Sequence, residues 1–459
     1  MPRFIHALPF IAMLSACNLA PDYQRPDVNA GEGWRDQATM INQTSAARMN
    51  DPVWWEQFGS PELSTLIASA LAHNTDLEVA IQRVEQARAA LGMAGADRLP
   101  TLSASGNVAK DWDRAFQSGT RASDGYRGQA TLSYEVDLFG RVANNVKSAS
   151  LRADAAGYSR DALALVLEAQ VVQAYGQILA YNDRMRITRD RLSTAEDIYR
   201  IVEARFREGS ASGLELAQQR TELANFQATL ATLEQSRSIA INQLAVLTGK
   251  APQLFAEPTA TLSTLMVPAV VALPPSDLLA RRPDIAQSEA RLAAANADIG
   301  VARAAYFPTL RLGGDAGLSA NPISAAVTTV AGVAGSLTAP IFDGGRISAG
   351  VQNSKAVRDE LVANYRGTVL TAFQEAEDAL AALTGTEKRL AAYTVAAEQA
   401  RIAYNLSRER FDAGSIDFLT LLDAQRSLLQ AEENLAQSRY DRVAAASQLF
   451  KAMGGGWMN

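Results

Sequence analysis

The sequence predicts a mixed α and β membrane protein assembled from two copies of one large unit. The first observation is an internal repeat: RFREGSASGLELAQQRTEL, which begins at Arg205, recurs as RFDAGSIDFLTLLDAQRSL, which begins at Arg410. The second is that each copy combines two alternating stretches, glycine-rich in the second copy, with a very long stretch free of proline. Small alternating residues suit a membrane β-barrel, and proline-free stretches suit long helices. Because the repeat covers most of the chain, we expect one body with two similar halves.

Composition excludes several classes of function. The chain has 459 residues and a net charge of −6, which argues against nucleic acid as a partner. One cysteine and two histidines are too few for a Cys/His metal centre. The sequence contains no phosphate-binding loop, zinc-protease motif or nucleophile elbow. No run of eighteen apolar residues exists, so we expect no membrane-spanning helix, whereas the strands of a β-barrel remain possible.

Residues 1–16 predict an export signal, with Arg3 followed by an apolar segment and then small residues. Cys17 is the only cysteine, so no disulfide can form within the chain. The string LSAC that ends at Cys17 resembles the signal of bacterial lipoproteins, which implies cleavage before Cys17 and acyl chains on it. The alternative is a buried cysteine inside an ordinary signal peptide. Asn18, in place of aspartate, implies by the same resemblance the outer membrane.

The first repeat is expected at residues 61–250, after a polar, lipidated tether and equatorial segment at residues 17–60. It opens with a helix whose apolar residues recur at three- and four-residue steps, and which ends before Pro100. Two strands, at about 101–112 and 126–138, are expected next, joined by a polar run. A helix from Val142 to about Glu208 would then be roughly 100 Å long. Gly209 ends it, and a return helix runs up to Gly249.

The second repeat is expected at residues 278–454, after a linker or equatorial segment at residues 251–277. Pro283 suits the first turn of its opening helix. Strands are expected at about 309–320 and 328–341, followed by a second long helical hairpin with its tip at Gly414. Residues 455–459 form a C-terminal tail.

Strand counting requires more than one chain. Four strands cannot close a membrane barrel, since the smallest have eight and open edges are not tolerated in lipid. Two chains would supply eight strands around an interior filled with side chains, whereas three would supply twelve strands and leave a lumen. The long hairpins would continue that lumen as a tube of helices.

From Cys17 onward the chain resembles outer membrane factors of the TolC and OprM type, and most of all the OprM-like lipoprotein branch. The segments that carry the resemblance are the lipobox followed by APDYQRP, then WWEQFGSPELSTLI, RRPDIAQSEARLAAANADIGVARAAYFPTL, PIFDGGR and RFDAGSIDFLTLLDAQRSLLQAEE. The resemblance implies a homotrimer in which a twelve-strand β-barrel, four strands per chain, crosses the outer membrane of a Gram-negative bacterium. A twelve-helix periplasmic α-barrel would continue it, with an equatorial belt formed by the two terminal segments and the linker.

The same resemblance implies a passive exit duct of a tripartite efflux system for drugs or other small molecules, and no enzyme. Its expected partners are a periplasmic adaptor (membrane fusion) protein, an inner membrane pump of the proton-driven RND type, and outer membrane lipid. No cofactor is expected beyond the covalent lipid on Cys17. The alternatives are the exit duct of a type I protein secretion system and a non-conducting periplasmic scaffold of coiled coils, which would not need the strands.

Asp423 and Arg426 are the candidate gate residues. Their spacing on the second return helix fits an ion pair on a helix surface. The resemblance instead implies that LLDAQR closes the periplasmic mouth, where trimer symmetry would place three copies of each charge around the pore. TolC has a second aspartate where this chain has Thr420, so only the OprM-like gate is supported.

The hairpin tips and one acidic cluster complete the candidate residues. Gly209, Ser210, Gly414 and Ser415 form turns that resemble the adaptor-contacting tips of outer membrane factors, although plain helix termination explains them equally well. Glu375, Glu377 and Asp378 are interpreted as a solvated helix face rather than an acid/base pair.

Overall fold

The computed structural model describes residues 18–29, 31, 33–35, 51–115, 119–268, 273–321 and 326–457. The predicted export signal and Cys17 lie outside these residues. The helices are α1 (Pro61–His73), α2 (Thr75–Ala96), α3 (Arg141–Arg207), α4 (Gly213–Leu247), α5 (Pro275–Arg281), α6 (Pro283–Ala304), α7 (Arg346–Asp412) and α8 (Phe418–Ala452). The strands are β1 (Thr101–Ala115), β2 (Gly119–Val136), β3 (Thr309–Asn321) and β4 (Ala326–Thr338), and short 3₁₀ turns lie at Trp54–Phe58, Pro252–Leu254 and Leu262–Thr264.

The chain divides into two compact units. The sheet unit comprises Met1–Asp27, Gln82–Gly157 and Gln287–Gly367, and so contains all four strands. The hairpin unit comprises Val28–Ile81, Tyr158–Ala286 and Thr368–Asn459, and so contains most of both helical hairpins.

The two repeats have the same order of elements, and their hairpin helices have the same lengths. The long helices α3 and α7 have 67 residues each, and the return helices α4 and α8 have 35 each. Gly209 and Gly414 end the long helices with φ values of 75° and 72°, a left-handed conformation that glycine adopts without steric cost. Ser212 and Asp417 then cap the return helices by accepting a hydrogen bond from the backbone N–H three residues on.

The first strand pair is longer than the sequence predicts. The polar run from Asp113 to Gly125, which we expected to join the strands, is itself mostly strand, because the antiparallel ladder continues to the pair Ala115↔Gly119. The second strand of this pair therefore begins at Gly119 and not at 126. Backbone pairing satisfies the N–H and C=O groups whatever the side chains, so polarity did not mark the end of the strands. In the second pair, β4 ends at Thr338, before Pro340, which cannot donate to a ladder.

The four strands form one antiparallel sheet in the order β1-β2-β3-β4. The strands of the two repeats meet at the centre, where Tyr126 pairs with Ala320 and Leu132 with Gly314. Among the described residues β1 and β4 pair on one side only, so the sheet has two open edges.

The core of the hairpin unit is aromatic and joins both repeats. Trp54, Phe58, Tyr175 and Phe450 are almost completely buried, and the rings of Trp54 and Phe450 stack with centroids 4.9 Å apart. A second, smaller core lies towards the hairpin tips, where residues of α3, α4, α7 and α8 pack together: Ile198, Val202, Leu216, Tyr404, Phe411, Phe418, Leu421, Leu422 and Leu428.

The repeat is visible in how each return helix ends. Asn74 donates a hydrogen bond of 3.1 Å to the carbonyl of Leu247, and Arg282 makes the same bond, also 3.1 Å, to the carbonyl of Ala452. A glycine lies two residues after each return helix and packs against the backbone of another segment. At Gly249, a Cβ would lie 2.1 Å from His73 O. At Gly454 it would lie 2.2 Å from Arg281 O. Only glycine fits these positions.

Part of the expected N-terminal tether is docked within the sheet unit. Asn144 donates to the side chain of Asn18 at 2.9 Å, Asn296 to the carbonyl of Pro21 at 2.6 Å, and Arg303 to the carbonyl of Leu19 at 3.0 Å. The segment that directly follows Cys17 is therefore held against α3 and α6.

One described helix, α3, is long and apolar enough to cross a membrane by length and composition. From the sequence we expected no such helix, because no run of eighteen apolar residues exists. Of the most apolar window in α3, 56% is buried within the chain, as in the core helix of a folded domain, so this is weak evidence for a membrane span.

Candidate functional site

One face of the sheet is apolar and exposed. Side chains alternate along each strand, and the register of the ladders places apolar residues of all four strands on the same face. Val333 is 93% exposed and Leu102 is 74% exposed. The other large residues exposed on this face are Val108, Tyr126, Leu132, Leu312, Leu318, Val327 and Leu337.

The opposite face is mostly polar, although Val330 is 52% exposed on it. It carries Thr101, Ser103, Ser105, Asn107, Arg127, Gln129, Thr131, Ser133, Glu135, Arg311, Asp315, Ser319, Thr328 and Ser336. Glu135 binds the guanidinium of Arg141 at 2.7 Å and lies 3.6 Å from that of Arg311. A sheet with an apolar face and a polar face suits a wall between lipid and water, and its two open edges require further strands.

The hairpin tips are exposed turns, and in each turn the serine named in the sequence analysis makes a hydrogen bond to the end of its own long helix. Ser210 donates through its hydroxyl to the carbonyl of Arg205 at 3.1 Å, and Ser415 donates to the carbonyl of Arg410 at 2.9 Å. A Cβ at Gly209 or at Gly414 would meet nothing within 4 Å. The turns therefore terminate their helices, and the glycines leave open space around the tips.

The structure does not pair the two candidate gate residues with each other. Arg426 binds Glu222 of the first hairpin instead, through Nε at 3.2 Å and Nη2 at 3.0 Å. Asp423 is exposed and makes no hydrogen bond or ion pair with the described part of the chain. The expected ion pair within the helix is thus replaced by one between the hairpins.

Sequence reasoning missed Glu222, although its spacing could have indicated it. The buried residues of α4 near the tip are Leu216, Gln219, Glu222 and Phe226, at the three- and four-residue steps of one helix face. A carboxylate on such a face needs a partner, because an unpaired buried charge is strongly unfavourable.

A second buried carboxylate lies farther along the hairpins. Glu432 is 6% exposed and binds Arg191 at 2.8 Å and Arg401 at 2.8 Å, which ties α8 to both long helices. Arg184 binds Glu433 at 2.8 Å beside it. The sequence did not single out these residues, because the pairing depends on which helices are neighbours.

The interpretation of the acidic cluster as a solvated face is wrong for Glu375. Its carboxylate binds buried Arg282 at 2.8 Å and lies 3.6 Å from Lys451. Burial alone would lower the pKa of Arg282, but the hydrogen bonds and charges of Asp284 and Glu375 outweigh it and raise that pKa. Glu377 accepts a hydrogen bond from the backbone N–H of Arg35 at 2.9 Å. Glu375 and Glu377 therefore help to hold the N-terminal segment and the start of α6, whereas Asp378 is exposed.

The buried carboxyl group of Glu168 accepts a hydrogen bond from the indole of Trp54 at 2.9 Å. Burial raises the pKa of Glu168 to about 7, and the Trp54 bond opposes that shift only in part. The C-terminal segment closes over this site: a Cβ at Gly455 would lie 3.2 Å from the Trp54 ring nitrogen. Trp457 donates to Asp161 at 3.1 Å.

Among the described residues no group of His, Cys, Asp or Glu side chains could hold a metal ion. The features that stand out in the described residues are instead a two-faced sheet with open edges and two long hairpins joined by ion pairs with the buried carboxylates Glu222 and Glu432. Such an arrangement suits a wall and a conduit.

Comparison with known proteins gives consistent matches along the whole chain. The family model described as outer membrane efflux protein matches residues 66–250 and 275–455. The chain is 38% identical to the pyoverdine export outer membrane protein OpmQ of Pseudomonas aeruginosa, over 97% of this chain and 95% of that protein. It is 34% identical to the toluene efflux pump outer membrane protein TtgC of Pseudomonas putida, over 97% and 94%. The solved outer-membrane channel OprN is similar with a TM-score of 0.87 and 29% identity, over 96% of this chain and 100% of that one.

Proposed function

Because the chain belongs to the outer membrane efflux protein family, we propose that it forms the passive exit duct of a tripartite efflux system. It is an outer membrane transport protein and not an enzyme, and the predicted fold class is confirmed. The observation that carries the proposal is the two-faced sheet, whose exposed apolar face suits lipid and whose polar face suits an aqueous lumen. A non-conducting scaffold would have no use for that apolar face.

The working unit is a homotrimer. One chain supplies four strands with two open edges, and open edges are not tolerated in lipid. Three chains give a barrel of twelve strands, wide enough for a lumen, whereas eight strands leave an interior filled by side chains. The long hairpins form the periplasmic part of the duct.

The cargo is small molecules that an inner membrane pump, of the proton-driven RND type, delivers through a periplasmic adaptor. The names of relatives support this class, since OpmQ is named for pyoverdine export and TtgC for toluene efflux. In this proposal the adaptor contacts the hairpin tips at Gly209, Ser210, Gly414 and Ser415; the open space around the two glycines supports this.

Two further features belong to the same proposal. Acyl chains on Cys17 anchor the chain to the outer membrane, and the docked segment after Cys17 fixes the point of attachment.

Asp423 and Arg426 form the periplasmic gate, because they lie just beyond the second tip on the helix that would line the mouth.

Single-channel recording in a planar lipid bilayer tests the proposed function. The purified full-length protein should insert and give discrete conductance steps, which rise in size or duration when Asp423 and Arg426 are both replaced by alanine. Asp197→Ala is a matched control, because Asp197 pairs with Arg200 of its own helix and cannot join two hairpins. A wild-type protein that binds the bilayer without any conductance would contradict the proposal.

A further inference from the structure

Within the described sheet, the ladder between β2 and β3 joins the two repeats. This ladder extends to the pair Val136↔Leu310. Just beyond it, the rings of Phe139 and Phe307 stack with their centroids 4.6 Å apart. The residues that follow the second strand of repeat 1 therefore pack against the residues that precede the first strand of repeat 2.

The corresponding residues at the outer edges of the sheet lack such a contact. β1 and β4 each pair on one side only in the described part of the chain. Leu99, just before β1, is 67% exposed, whereas its counterpart Phe307 stacks on Phe139. After β4, Ile341 and Phe342 are 100% and 92% exposed. Exposed apolar side chains of this size, next to an open strand edge, favour burial against a partner.

The pairing within each repeat shows which residues of the two repeats correspond. Thr101, the first residue of β1, pairs with Ser133. Thr309, the first residue of β3, pairs with Thr338. Thr309 therefore corresponds to Thr101, and Thr338 corresponds to Ser133.

This correspondence transfers the register of the β2–β3 ladder to the outer edges. Ser133 pairs on its other side with Gly313, which is the fifth residue of β3. The fifth residue of β1 is Ser105. A second copy in the same relative position, with its repeat 1 next to repeat 2 of the first copy, therefore places its Ser105 opposite Thr338.

The transferred register matches the two faces of the sheet. It brings Leu337 opposite Gly106 of the next copy on the apolar face, and Ser336 opposite Asn107 of the next copy on the polar face. A shift of one residue would instead join the apolar face of one copy to the polar face of the next. In the transferred register both faces continue from copy to copy.

We propose that β4 of one copy pairs antiparallel with β1 of the next copy in the register of the β2–β3 ladder, with Thr338 opposite Ser105. The loop after β4 then packs Ile341 and Phe342 against Leu99 of that copy. The inference rests on the proposed homotrimer and deepens it, because it names the residues that meet between copies.

Disulfide formation between paired cysteines tests the register in the full-length protein in mild detergent. The variants are Ser105→Cys with Thr338→Cys, on the polar face, and Gly106→Cys with Leu337→Cys, on the apolar face. Opposite pairs alternate between close and wide spacing along an antiparallel ladder, so one of these two pairs has the closer spacing. Under mild oxidation that variant should give a covalent trimer on a gel, and reducing agent should return it to single chains.

Shifted pairs are matched controls for the register. Ser103→Cys or Asn107→Cys, each combined with Thr338→Cys, places the two Cβ atoms about 7 Å apart, beyond the roughly 4 Å that a disulfide spans. These variants should remain single chains on the gel. Each single cysteine variant should do the same, which excludes a cross-link through Cys17.

Thermal separation of the trimer tests the loop contact. Phe342→Ala and Leu99→Ala should each lower the temperature at which the trimer separates into single chains on a gel. The double variant should lower it little further, because both changes remove the same contact. Leu254→Ala is the control and should leave that temperature unchanged, since Leu254 is 83% exposed but belongs to the hairpin unit.

The inference and the proposed duct can fail separately. If a shifted pair cross-links best, or if no pair cross-links while native mass gives three chains, the register is overturned and the duct stands. An unchanged separation temperature for Phe342→Ala and Leu99→Ala would overturn the loop contact and assign these side chains to lipid. A wild type that never conducts would contradict the duct itself.

Discussion

Arginine at Val333 should block insertion of the sheet, whereas arginine at the next residue should not. Val333 lies near the middle of the thirteen-residue strand β4, is 93% exposed, and faces the apolar side opposite Gly314. Its replacement therefore loses almost no contact within the chain. Ala334 is exposed on the polar face, opposite Gly313, where an arginine can remain in water. The two variants place an arginine on opposite faces of the same strand.

The size of the effect follows from the depth of Val333 in the strand. Arginine on the lipid face of a membrane barrel costs about 2–4 kcal/mol at the midplane and close to zero near the interfaces. Since Val333 is five residues from one strand end and seven from the other, we expect the midplane value for each chain. In a barrel of three chains this cost per chain would be multiplied. Ala334→Arg, by contrast, should change the free energy of unfolding by less than about 1 kcal/mol.

Folding into lipid vesicles across a urea series measures this difference. The folded fraction is read from gel mobility of unheated samples, and the midpoints of Val333→Arg, Ala334→Arg and wild type are compared. The expected order places Val333→Arg well below the other two. Equal midpoints for the two arginine variants would refute the assignment of lipid and water to the two faces.

Three further outcomes are expected. Gly456→Ala should lower the melting temperature, because the new Cβ would lie 2.3 Å from Asp51 O and the backbone has a left-handed φ of 76°. Gly367→Ala is the control: Gly367 lies in a helix with open space around it, so this change should raise the melting temperature slightly. The pKa of Glu168 is raised to about 7 in the folded chain, so the folded state keeps this proton to a higher pH than the unfolded state does. The free energy of unfolding should therefore fall by up to about 3 kcal/mol as the pH rises from about 4.5 to 7. A urea series at several pH values measures this fall, and Glu168→Gln should remove it. Cys17→Ser should abolish labelling by radioactive palmitate while the strands still insert, and a labelled variant would disprove lipidation at Cys17.

Helices and repeats could be predicted because their signals are local. Gly209 and Gly414 mark helix ends through their own conformational freedom, and the spacing of apolar residues between them needs no knowledge of neighbours. The two strands of the first repeat were placed less well. Their polar ends, residues 113–115 and 119–125, form a ladder through backbone bonds that side-chain polarity does not report.

The buried ion pairs could not be predicted, because they depend on which helices become neighbours. Asp423 and Arg426 have the right spacing for a pair, yet the guanidinium reaches Glu222 some 200 residues away in the sequence. Glu375 was interpreted as solvated for the same reason, since nothing near it in the sequence reveals that Arg282 packs against it. Spacing indicates which residues share a helix face, and only the tertiary fold decides what covers that face.

The number of chains in the particle extracted with mild detergent tests the central claim most directly. Four strands with two open edges per chain require three copies to close a barrel that has a lumen. Native mass measurement should therefore give three times the mass of the mature, lipidated chain, in the same fractions that conduct ions in a bilayer. A stable monomer or dimer that conducts ions would contradict the account.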